Sequence, residues 1–247
     1  MIEQYAIDLP GKSLYDINFN IQIRKVTPLE VKYADSLFRK QQVEPNEYME
    51  FIKKLISFDN PEMTFEKLFW FDCQYVLYQI RHRTFPNHPI RLYFKCTNKD
   101  CERKDFSQEL DIGKLEILEP SDVEGFTTKI KLDNLGEVSI RNKTVGDDLA
   151  IFDFANKNKI DITDVSNVLF LAELSAISKE YSLEELYKFA EDGTLTAEDM
   201  IKIEDWISKS IWGVKEETMT KCPFCGKEEP RSYTLTIGDY FSVDRHQ

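Results

Sequence analysis

Apolar and polar residues alternate through Ile17-Asn18-Phe19-Asn20-Ile21-Gln22-Ile23, the period of a strand with one buried face. The period then lengthens to that of helices. One is predicted from about Pro28 to Gln41. Another begins at Pro45 and carries Tyr48, Phe51, Ile52 and Leu55 on one face. Asn60-Pro61 breaks the pattern, and a strongly apolar helix is predicted from about Thr64 to Arg81. A strand-like run, Arg91-Leu92-Tyr93-Phe94-Lys95, leads into a cysteine pair, and a further strand follows to about Ile117.

After Glu119-Pro120 the same order begins again. Strands are predicted at Thr127 to Leu132 and Glu137 to Ile140, and helices at Gly146 to Asn156 and Thr163 to Ile177. Ser182-Leu183-Glu184-Glu185 is a capping box for a short helix that Gly193 stops. Thr196 starts the next helix, which ends at Gly213. Strand, cysteine pair and strand close the chain. The pattern predicts an α+β protein of two similar fused halves, 1–118 and 119–247. Each half would hold a strand, helices and a cysteine-knuckle β-hairpin.

Two local matches support duplication. Ile23-Arg24-Lys25-Val26-Thr27 and Ile140-Arg141-Asn142-Lys143-Thr144 both read I-R-x-x-T between a strand and a helix. Thr27-Pro28-Leu29-Glu30 is a capping box with proline at the first helical position, and Thr144 to Asp147 is its acidic counterpart. The second match, S-x-x-L-x-I-G, spans Ser107 to Gly113 and again Ser232 to Gly238.

The candidate chemistry lies in the cysteines. Cys222-Pro223-Phe224-Cys225-Gly226 has the two-residue gap that lets both sulfurs face one ion, and the glycine suits the tight turn. Cys96 and Cys101 are separated by four residues, still within the range of structural sites. Together the two pairs predict one closed tetrahedral Zn2+ site, structural in kind, shared between the halves. Redox C-x-x-C chemistry, disulfides and a site that has lost its metal are the rival readings. Cys73, inside the apolar helix, reads as a small buried hydrophobe.

Net charge is −12, which argues against broad nucleic-acid binding dominated by phosphate contacts. No run approaches the roughly 18 apolar residues of a membrane span, and Met1 to Tyr5 lack signal-peptide character. The expectation is synthesis in a cytosol, with no nucleic-acid and no membrane partner. No P-loop, Rossmann or G-x-S-x-G pattern is present, and His82, His88 and His246 are scattered, so no catalytic residue is assigned and no enzyme is expected. Asp72 and Asp205 stand out as candidate matched buried acceptors for Arg24 and Arg141. Phe85, Tyr240 and Phe241 lie near turns or the chain end, where they could anchor a partner.

The ordered set of I-R-x-x-T turn, aspartate-bearing apolar helix, Ile80-Arg81, first cysteine pair, S-x-x-L-x-I and second cysteine pair resembles the baseplate hub and hub-assembly proteins of T-even-type contractile-tailed bacteriophages. The likeness runs from about residue 5 to 243. Several of those proteins carry paired cysteines at both places, although a two-residue gap is commoner than the four between Cys96 and Cys101. The resemblance implies a structural or assembly protein of the tail baseplate, partnered by other baseplate and hub proteins. It implies a place in the virion tail after assembly in the host cytoplasm. The competing reading from the residues alone is a zinc-ribbon adaptor that binds nucleic acid or the transcription machinery.

Overall fold

A computed structural model describes residues 3–38, 45–177 and 180–241. The alternating N-terminal run forms a three-stranded antiparallel sheet of β1 (Gln4–Ile7), β2 (Ile21–Arg24) and β3 (Ile56–Phe58), with β2 central. Tyr5 lies opposite Ile23, and Ile21 opposite Phe58. Ile21 and Ile23 point into the core while Gln22 faces out, as the period of two requires. Helices α1 (Pro28–Phe38), α2 (Pro45–Lys53) and α3 (Trp70–Thr84) cover that face. The expected end of the first helix, Lys40 and Gln41, lies outside the described residues.

The apolar helix expected from Thr64 begins later than its hydrophobicity suggests. A single 3-10 turn covers Phe65–Lys67, the chain is extended at Leu68 and Phe69, and α3 starts at Trp70. The cause is tertiary. Leu68 O accepts from Val145 N at 2.8 Å, and Trp70 N donates to Lys143 O at 2.9 Å, so this backbone pairs with the second half instead of with itself. Gly146 permits the approach: a Cβ there would stand 2.9 Å from Glu66 O.

A hairpin of β4 (Ile90–Lys95) and β5 (Asp105–Leu110) follows α3. The next strand, β6 (Ile117–Leu118), pairs far along the chain with β9 (Gly213–Val214). Between them, β7 (Lys129–Leu132) and β8 (Gly136–Ser139) form a hairpin, and α4 (Val145–Asn158), α5 (Val165–Ser175), α6 (Leu183–Glu191) and α7 (Ala197–Lys209) follow. Capping boxes start α4, α6 and α7, at the threonines and serine expected. The hairpin β10 (Glu217–Lys221) and β11 (Glu228–Ser232) precedes a last short helix, α8 (Ile237–Phe241).

Two main cores result. The larger gathers β1–β3 and α1–α3, together with Val145, Val214, Tyr233, Leu235, Tyr240 and Phe241 from later in the chain. The second holds Leu132, Val138, Ile140, Leu174, Leu186, Ile203 and Trp206. Tyr240 and Phe241 are therefore buried, with rings 5.0 Å from Tyr78 and Phe51, and are not the exposed anchors their position suggested. Phe85 is half-buried beneath the Arg81 guanidinium at 4.6 Å.

The I-R-x-x-T turns are built alike. Arg24 grips Glu30 through two nitrogens at 2.9 and 2.6 Å, while the Thr27 amide and hydroxyl also donate to Glu30. Arg141 grips Asp147 at 2.6 and 3.0 Å, with Thr144 donating in the same way. The arginines thus bind the acid of the capping box one turn on, and not Asp72 or Asp205. The Arg24 hydrogen bonds, with help from Thr27, hold the Glu30 carboxyl down at about 2. A depressed carboxylate contributes stability above its unfolded value, near 4.5, that is lost as pH falls through the folded one. Glu30→Gln is expected to cost on the order of 2 kcal/mol at pH 7, with the gap to the parent closing between about pH 4.5 and 2 in urea titrations.

Candidate metal centre

Each cysteine pair sits at the tip of a hairpin, where the chain must reverse. Cys96 follows β4 and ties back through its amide to Lys104 O at 2.6 Å, and the Cys101 amide donates to Asn98 O. Cys222 follows β10 and its amide donates to Lys227 O, while Gly226 N returns to Cys222 O at 2.9 Å. Gly226 takes φ +72°, the left-handed backbone that the tight knuckle needs and that a side chain would strain.

The two tips meet. All four sulfurs lie within 4.8 Å of one another. Two pairs that cross from one hairpin to the other, Cys96 to Cys225 and Cys101 to Cys222, each stand at 3.7 Å. Cys96, Cys101 and Cys222 are buried with Phe94 and Phe106 around them, and Cys225 is exposed. Among the described residues this is the one group of three or more potential ligands close enough to hold an ion, and His82 and His88 are not part of it.

Polar contacts dock the hairpins independently of the sulfurs. The Gln108 side-chain amide on β5 donates to Met219 O and accepts from Lys221 N on β10. Arg231 on β11 donates to Lys95 O on β4 at 3.0 Å. Glu229 accepts from Thr97 at 2.7 Å and pairs with Lys227 and Arg231, and these partners, Thr97 foremost, hold its carboxyl down at about 2. Arg103 from the first tip lies over the Phe224 ring of the second at 5.4 Å.

The crowding of thiols shows in their acidities. Burial and the neighbouring Cys222 and Cys225 sulfurs push Cys101 up to about 12, while the Lys227 amide and the Asn98 side chain pull Cys225 down to about 6. Without a cation the cluster resists gathering several negative charges. A divalent ion displacing the thiol protons removes that conflict.

Of the two aspartates expected as matched buried acceptors, the structure buries Asp72 and leaves Asp205 exposed. Asp72 is buried and accepts from Gly11 N at 2.9 Å and Tyr15 Oη at 2.7 Å. Asp205 is exposed and pairs with Lys209. The counterpart is Asp199, fully buried, which accepts from Asp133 N at 2.8 Å. Asp72 and Asp199 each occupy the third position of the helix before a cysteine hairpin, and each receives a backbone amide from a turn some sixty residues earlier, Gly11 and Asp133 respectively. The capping-box spacing from Thr196 is the sequence signal that marks Asp199; apolar neighbours alone favour Asp205.

Comparison with protein families bears directly on this arrangement: the model described as T4 bacteriophage base plate protein matches residues 12–237. The chain belongs to this family. The match takes in both I-R-x-x-T turns, both buried aspartates and all four clustered cysteines. Membership in the base plate family makes the chain a component of a phage tail baseplate, among other baseplate proteins. Searches of curated proteins and of solved structures returned no match. No helix among the described residues is long and apolar enough to cross a membrane.

Proposed function

We propose that this base plate protein is a structural or assembly component of the tail hub, acting by protein–protein binding, with one structural Zn2+ held by Cys96, Cys101, Cys222 and Cys225. The observation that carries the metal is the sulfur geometry. A tetrahedron with bonds of ~2.3 Å has edges of about 3.8 Å; two of the four cross-hairpin pairs stand at 3.7 Å and all the sulfurs lie within 4.8 Å of one another. Four thiolates fill the shell, which leaves the ion no open position for substrate or water. The role is therefore structural, and the chain is read as no enzyme. The ion supplies a rigid cross-link between the two tips. The protein supplies the rest, through Gln108, Arg231 and Glu229.

The halves 1–118 and 119–247 are read as two copies of one module. The support is the recurrence of the arginine–capping acid grip and of the buried aspartate before each cysteine hairpin. In this reading the metal fixes the angle between the hairpins, and with it the shape presented to neighbouring hub proteins during assembly in the host cytoplasm.

Complementation tests the function. A phage unable to make this chain is expected to yield no complete tails by electron microscopy. Supply of the parent protein should restore them, and Cys222→Ser should not. Complete tails formed without the chain would overturn the assignment. The zinc-ribbon adaptor alternative predicts salt-sensitive binding of nucleic acid in gel-shift assays, where the hub reading predicts none.

A further inference from the structure

Helix α5 carries apolar residues on more than the side it buries. Its eleven residues include Val165, Val168, Leu169, Phe170, Leu171, Ala172 and Leu174. Here only one side is covered: Leu171 and Leu174 are fully buried, and Phe170 packs between the second core and a neighbouring small cluster. On the opposite side Val165 is 69 % exposed, Leu169 56 % and Val168 36 %, and Ile162 just before the helix is 37 % exposed. Val165, Val168 and Leu169 follow the i, i+3, i+4 spacing of a stripe that seats another element, while Ala172, one turn on, already packs against the small cluster of Ile151, Ala155 and Leu171.

Acidic residues lie at both ends of the stripe. Asp161 and Asp164 flank its N-terminal end, and both are exposed while capping their own turn through Thr163 and Ser166. Glu173 sits near its C-terminal end, close enough to Glu204 of α7 to feel that carboxylate. These acids rule on the occupant. A second copy of the chain, packed antiparallel, would set Asp164 against Glu173. Packed parallel, it would set Asp161 and Asp164 against themselves. An anionic lipid surface meets the same repulsion.

We infer that the outer face of α5 is a docking surface for an amphipathic helix of another protein whose apolar stripe is flanked by Lys and Arg. Apolar burial supplies the adhesion, and the acidic ends set partner choice and speed the encounter. The site is remote in sequence from the cysteine hairpins and does not depend on the metal, so it stands or falls separately from the zinc assignment.

The test uses the full chain and two synthetic helical peptides. Both carry leucine at i, i+3, i+4 and i+7, one with lysine flanks and one with glutamate flanks. Calorimetry is expected to show micromolar binding of the lysine peptide, at least about tenfold weaker binding of the glutamate twin, and loss of affinity as salt rises. Leu169→Asp and Val165→Asp should each weaken the lysine peptide at least about tenfold, with melting temperature and zinc content unchanged because both side chains are exposed. Equal binding of the two peptides, no binding of the lysine peptide, or affinity indifferent to both substitutions would overturn the inference. So would a dimer of the chain alone that Leu169→Asp dissolves.

Discussion

Cys222→Ser is expected to abolish metal retention and to open the paired hairpins while most of the chain stays folded. The hydroxyl is a poor substitute for a thiolate, so three sulfurs remain around a site that needs four. Those three are crowded within a few ångström and, without an ion, cannot all give up their protons. The β4–β5 and β10–β11 tips would then be joined by surface contacts such as those of Gln108, Arg231 and the Glu229 cluster and the stacking of Arg103 on Phe224. Those contacts are exposed and worth little each. Apparent binding energies of structural zinc in finger peptides run to about 10–16 kcal/mol at neutral pH, an upper guide for what the cross-link contributes here. The two main cores contain none of the four cysteines, so the loss should be sub-global. Limited trypsin digestion should cut the variant at Lys221, Lys227 or Arg103 long before the parent. Circular dichroism should retain most of the helical signal. A Cys222→Ser protein that keeps its metal, or resists trypsin like the parent, would contradict the account.

Trp212→Ala is expected to cost about 3–5 kcal/mol and to lower the melting temperature by roughly 10 °C. Trp212 lies between α7 and β9 and inserts into the first half of the chain. Its ring is fully buried and meets Phe69 and Phe71 edge-on, with centroids 5.9 and 5.3 Å away. It also fills the space beside Gly11, where a Cβ would stand 2.1 Å from the indole. Gly11 in turn donates to Asp72, so ring, glycine and buried carboxylate form one joint. Truncation leaves a cavity where two parts of the fold meet, and neither can collapse without moving α3. Gly11→Ala attacks the same contact from the other side and should cost about 1–3 kcal/mol by overpacking. Thermal melts of the two variants check both values. A Trp212→Ala melt within about 2 °C of the parent would show that the ring is not a fastening.

Much of this is legible in the sequence because the signals are local. Thr144, Ser182 and Thr196 mark helix starts through their own side chains, and the structure places α4, α6 and α7 there. The cysteine spacings likewise identify four sulfurs that the fold brings together across more than a hundred residues. What the sequence hides depends on contacts between distant segments. Leu68 and Phe69 read as helix by hydrophobicity, yet their backbone is drawn into pairing around Lys143 and Val145. Tyr240 and Phe241 read as free aromatic ends, yet α8 folds back against α1 and α3. Asp205, set among apolar neighbours, reads as the buried acid of the second half, yet the buried one is Asp199. In a helix it is the face that decides, and position 205 looks outward.

One zinc ion is expected to join the two hairpin tips. Zinc K-edge X-ray absorption on freshly purified protein, with metal quantified by mass spectrometry, tests it most directly. The prediction is about one zinc per chain with four sulfur neighbours at ~2.3 Å. Less than about half an equivalent of zinc, or a first shell containing nitrogen or oxygen, would contradict it.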